Sequence, residues 1–160
     1  GLSGYDELQE GIAVLSEYLV GGLSRPRLRL LAARVIASDM LVKGSTFIEV
    51  FRALHEDYGF QSRTAFMITM RTFRSGGLTK DAAYLRGLIE LMGYLQKGGS
   101  LDPLFVGKIA AEHIPIVEEL TWRKVLVEPP LKPLYLSSPQ TKIRLEKVRN
   151  GMDVASLAAK

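Results

Sequence analysis

The chain of 160 residues contains no cysteine, only two histidines and a single tryptophan. Without cysteine, a disulfide framework and a thiolate metal site are both excluded. No run approaches the roughly 18 consecutive apolar residues that a membrane-spanning helix needs. Nothing at the start resembles a positive region followed by an apolar run. The expectation is therefore a cytoplasmic protein without a membrane partner. Convincing alternation of apolar and polar residues is missing too, as is any internal repeat. With 47% apolar and 24% charged residues, the composition is that of an ordinary globular domain.

Basic residues are absent from the first 24 positions, which hold Asp6, Glu7, Glu10 and Glu17. The net charge of +4 is therefore local. It resides in residues 61–87, where Arg63, Arg71, Arg74, Lys80 and Arg86 face Asp81 alone, while the remainder balances. A nucleic-acid surface recruits cations from several elements. One compact basic segment argues against a nucleic-acid partner.

Helical periodicity runs through nearly the whole chain. Leu8, Ile12, Leu15 and Leu19 form one stripe and predict a helix over about 5–20, ended by Gly21-Gly22. Ser24 and Pro26 open a second helix, apolar over much of its circumference. Thr46 with Glu49 is a capping-box pattern for a third, ending near Tyr58-Gly59. Ser62 can cap a fourth helix to Arg74, and Thr79 a fifth to about Lys97. Asp102-Pro103 starts a sixth, which Pro115 interrupts or restarts. Four prolines between Glu128 and Pro139 read as an extended strap, followed by a last helix from about Gln140 to Asn150. The fold expected is all-α, an irregular multi-helix bundle with a proline-rich strap near the C-terminus. Residues 1–127 would form its helical part, and residues 128–160 the strap and a helix packed on it.

Three features could carry chemistry. His55-Glu56 lacks a histidine at the i+4 position, where Gly59 stands, so it fails the zinc-peptidase pattern that puts two imidazoles on one helix face. It reads instead as a glycine-capped helix end, and His113 as a structural or surface residue. Asp6, Glu10 and Glu17 share the helix face opposite the leucine stripe. They form either a solvated acidic face or a source of one metal-binding or basic carboxylate. Mid-helix Gly11 costs about 1 kcal/mol against alanine, and close approach of another element would explain it. In the basic segment, Arg71 and Arg74 are followed by glycines and then Lys80, Tyr84 and Gly87 at helical spacing. The alternatives are a salt-bridged surface, with Arg86 paired to Glu90, and a compact anion site. In the second case arginines clamp a carboxylate and Tyr84 donates to an oxyanion.

Asp6-Glu7-Leu8-Gln9-Glu10-Gly11-Ile12-Ala13 resembles the signature of the QEGLA-motif family. The family includes the flavohaemoglobin expression-modulating proteins and the microtubule-associated tyrosine carboxypeptidase. Arg25-Pro26-Arg27-Leu28, Tyr58-Gly59-Phe60, Arg71-Thr72-Phe73-Arg74, the run from Gly77 to Gly87, and Phe105-Val106-Gly107-Lys108 resemble further family blocks in family order. The resemblance covers most of residues 1–130. It implies a zinc metallopeptidase of the gluzincin type that acts on a peptide or protein C-terminus. Two histidines and the catalytic glutamate would come from a His-Glu-x-x-His helix, and the third zinc ligand from the signature, which carries over to Glu10. Arg71, Arg74, Lys80 and Tyr84 match family positions suited to the substrate cleft; within it we expect Arg71, Arg74 or Lys80 to hold the substrate carboxylate, and Tyr84 the oxyanion.

His-Glu-x-x-His does not occur in the chain, and only nine residues precede Glu10. The expectation is that the 160 residues are the C-terminal part of a larger enzyme. They would partner a missing N-terminal part of the same chain, and by themselves be inactive and without zinc. Against this stands a non-catalytic helical interaction or regulatory module, in which Glu10 and the basic cluster lie apart and face solvent.

Overall fold

The leucine stripe at the start of the chain forms the first helix. In a computed structural model that describes residues 2–74, 80–127 and 129–158, α1 spans Tyr5–Leu19, with Leu8, Val14, Leu15 and Leu19 buried. Backbone bonds turn the chain at its end: Gly21 N–H donates to the Tyr18 carbonyl and Gly22 N–H to that of Glu17. This pattern needs a left-handed residue, and Gly21 supplies it at φ 82°. The other helices are α2 (Arg25–Val42), α3 (Phe47–Arg52), α4 (Ser62–Arg74), α5 (Lys80–Gln96), α6 (Ile114–Trp122) and α7 (Pro139–Arg149). No strand occurs among the described residues, so the fold is all-α. None of the described helices is long and apolar enough to cross a membrane.

The chain divides into two compact units, with the boundary inside α5. One holds the residues up to Ser24 and those from Arg86 onward; the other is Arg25–Leu85.

In the second unit, α2 contributes the small residues Ala33 and Ala37, one turn apart, to a buried cluster with Val50, Leu54, Ala65 and Ile68. Alanines there let α3 and α4 approach closely, and burial of the larger aliphatic partners stabilises the contact by about 1.5–3 kcal/mol per side chain. Phe47 packs edge-on to Phe66 and Phe73, with centroids 5.6 and 5.4 Å away. The Thr46–Glu49 capping box is formed, with the Glu49 carboxylate accepting from Thr46 N–H at 2.7 Å. These bonds hold the Glu49 carboxyl below its ordinary pKa. After Arg52 the helix continues as a π-helical turn, Ala53–Asp57. It ends at Gly59, whose φ of 65° lets Phe60 N–H reach the Leu54 carbonyl. α4 begins at Ser62 itself, and Thr79 lies outside the described residues.

In the first unit, α1 and α5 touch backbone to backbone. A Cβ on Gly11 would overlap the Gly87 carbonyl, and one on Gly87 would overlap the Glu7 carbonyl oxygen. Arg86 pairs across this contact with Glu7 at 2.7 Å rather than with Glu90. The segment expected to start a sixth helix is different: Asp102–Phe105 is a single 3-10 turn. Pro115 instead lies in the first turn of α6, where its missing N–H costs nothing. The proline strap is pinned by Lys132 to Asp102 (2.7 Å) and by the Tyr135 hydroxyl to Ser16 (2.7 Å). Beyond it, Thr141 and Arg144 of α7 both donate to the Leu19 carbonyl at the end of α1.

Two expectations follow. Gly87→Ala should cost at least about 2 kcal/mol, because the clash is with backbone that cannot swing aside. Gly93→Ala on the same helix, where nothing lies within 4 Å, should gain about 0.5–1 kcal/mol. Thermal unfolding of the two variants reads the difference. Second, Tyr94 donates to the Ser100 carbonyl (2.9 Å) and Glu118 (3.1 Å), and accepts from Ser100 N–H (3.0 Å). Burial, then the Glu118 charge, pushes its pKa up to about 12, from an ordinary 10.0. A raised folded-state pKa means that its stabilisation is whole below about pH 10 and is lost as the pH rises toward 12. Absorbance titration should show a tyrosine that ionises near pH 12, and Tyr94→Phe should lose that component while the buried Tyr18, also shifted upward, remains.

Candidate functional site

The basic segment builds a cavity of about 950 Å³ within the second unit. Arg63, Met67, Arg71 and Arg74 are spaced 4, 4 and 3 along α4, so one face of that helix supplies much of the wall. Arg34 comes from α2, and Lys80 and Asp81 from the first turn of α5. Five cations thus surround one carboxylate, over an apolar surface that includes Leu30, Ile68 and Met70.

Asp81 is the buried member, 4% exposed. Arg71 Nε donates to both its oxygens, at 3.0 and 3.1 Å, and Arg34 Nη1 stands 3.8 Å away. A buried carboxylate is strongly destabilising unless paired, and here two arginines meet it. Burial, and next the neighbouring Arg71 charge, draws the Arg34 pKa below its ordinary value, with Asp81 opposing. Arg34 Nε is buried and makes no hydrogen bond. The arrangement therefore holds more positive charge than Asp81 neutralises, in a space of small-ligand size.

Of the residues singled out from the sequence, Arg71, Arg74 and Lys80 come together in this wall. Tyr84 is half-buried, close enough to Arg34 to affect its charge, and is not one of the lining residues. Glu10 stands on α1 in the other unit, half-buried, immediately before the Gly11 contact. Arg34 and the role of Asp81 are not apparent from the sequence. Arg34 lies 29 residues from the nearest other lining cation, and only the packing of α2 on α4 brings them together.

No three His, Cys, Asp or Glu side chains group as a metal site among the described residues. Zinc sites use at least three protein ligands, so the described residues do not fit the ion by themselves. Both histidines are engaged locally. His55 Nδ1–H donates to the Phe60 carbonyl at 2.8 Å while the ring stacks on Phe51. His113 Nδ1 accepts from Ala110 N–H at 3.1 Å. These contacts fit the structural reading of both.

The Tyr58-Gly59-Phe60 block is likewise part of the fold. Arg29 donates to the Tyr58 carbonyl at 2.7 Å and covers the Phe60 ring at 4.7 Å.

Comparison with known proteins places the chain. No curated protein and no solved structure matches it. The family model for microtubule-associated tyrosine carboxypeptidase matches residues 1–153, which takes in the signature helix, the cavity and the strap. The chain belongs to the microtubule-associated tyrosine carboxypeptidase family.

Proposed function

We propose that the chain is part of a carboxypeptidase-like hydrolase in which the basic cavity receives the C-terminal carboxylate of a peptide or protein. The observation that carries this reading is the compact cation cluster above an apolar surface. Arginines offer a carboxylate paired N–H groups, and the apolar residues offer contact to the terminal side chain. A nucleic-acid track would need a longer stripe of charge. Arg71, Arg74 and Lys80 are assigned to the carboxylate, and Tyr84 to the oxyanion that develops as a peptide carbonyl is attacked. Glu10 is assigned as one ligand of a zinc ion. That role follows from the signature alone, with the remaining ligands from outside the described residues, and no catalytic step is derived through the metal.

A non-catalytic interaction module is the second reading. The strongly exposed Trp122, Val127, Leu131 and Leu134 favour it.

Two measurements separate them. A short peptide with a free C-terminus should bind at least about tenfold more tightly than its amide, a difference of about 1.4 kcal/mol. Lys80→Ala should remove much of that difference and leave the amide unchanged; equal affinity for acid and amide in the native protein sinks the carboxylate reading. The 160 residues alone should neither hydrolyse peptides nor retain zinc stoichiometrically, and metal analysis that finds tightly held zinc overturns the ligand assignment.

A further inference from the structure

The carboxylate-binding reading leaves Asp81 unexplained, since a negative group in an anion site opposes its ligand. We infer that Asp81 is a positioning residue of the carboxylate subsite: it holds the Arg71 guanidinium by its Nε edge, so that an incoming carboxylate meets a pre-oriented Arg34–Arg71 pair. This inference rests on the proposed function above.

Three observations carry it. Both Asp81 oxygens take their hydrogen bonds from Nε of Arg71, at 3.0 and 3.1 Å, and not from the end of the guanidinium. A guanidinium is planar, so a bond that fixes Nε also fixes where its Nη groups point. Asp81 is itself rigidly placed, 4% exposed in the first turn of α5, whereas the Arg71 side chain is half-exposed. An unrestrained arginine of that exposure would lose considerable rotamer freedom on binding; one already held loses less. Finally, Asp81 does not saturate Arg34. Arg34 approaches it only to 3.8 Å, beyond hydrogen-bond distance, and the buried Arg34 Nε has no hydrogen-bond partner. One carboxylate between two guanidiniums lets them lie close while retaining a net positive charge for a second, exogenous carboxylate.

The alternative is that Asp81 merely reduces the charge or competes for the arginines. The two roles predict opposite signs. Removing a competing negative charge strengthens anion binding; removing a positioning group weakens it.

The test is calorimetric titration of the 160-residue chain with an acetylated tripeptide ending in leucine, as free acid and as amide. Asp81→Asn keeps the side-chain shape and makes the cavity more positive. It should nonetheless bind the free acid about tenfold more weakly, with amide affinity unchanged. Arg71→Lys keeps the charge and lacks Nε; it should show a similar loss, and the double variant no further loss. Tighter or unchanged free-acid binding by Asp81→Asn overturns the inference, as does Arg71→Lys binding like the native protein. If Asp81→Asn does not fold, Asp81→Glu decides instead: it keeps the charge and displaces the carboxylate, so a positioning role loses free-acid affinity and a charge-reducing role does not. Native protein that does not distinguish acid from amide overturns the carboxylate reading and this inference with it. Discrimination that survives both variants overturns only the role of Asp81.

Discussion

The contact of α1 with α5 at Gly11 and Gly87 is the tightest constraint in the molecule, because neither side has an atom to give up. Each glycine lies where a Cβ would overlap main chain of the other helix. Close packing of that kind tolerates no compromise by rotamer change. It explains why two residues with poor helix propensity stand inside helices. It also brings α1 and α5 close enough for Arg86 to pair with Glu7. Glu10 of the signature directly precedes this contact, so part of what makes the motif recognisable is packing.

The same α5 carries Lys80 and Asp81 in its first turn, within the other unit. There the organising force is electrostatic. Like charges at close range repel by several kcal/mol at the effective dielectric of a protein surface, so a wall of arginines needs a compensating carboxylate. Asp81 provides it from a buried position. Partial compensation matters for function. Complete neutrality would leave little attraction for an anion, and no compensation would leave the side chains splayed into solvent. The apolar residues of the cavity lower the local polarity and strengthen whatever ion pair forms there.

Much of this was legible in residue order. The stripe from Leu8 to Leu19, the Thr46–Glu49 box and the glycine-ended helices are local features, encoded by residues a few positions apart, and they appear in the structure. Close approach at Gly11 and Gly87 could be anticipated because a mid-helix glycine is costly without a neighbour. The failures have physical reasons too. Asp102-Pro103 is a good helix start, yet the chain turns only once there and begins α6 at Ile114. Arg86 had a candidate partner one turn away in Glu90, but Glu7, distant in sequence, is the one it meets. The π-helical turn after Arg52 has no periodicity signal of its own.

By itself, the sequence determined the all-α class, the chemistry available without cysteine, the local positive charge and, through ordered blocks, the family. Each depends on composition or on spacing along one helix. Only the tertiary structure decided that Arg34 joins Arg71, that a buried Asp81 stands between them, and that the basic segment encloses a cavity. Those facts depend on which helices pack together. That is settled by the small residues of α2 against α3 and α4, through contacts between positions tens of residues apart.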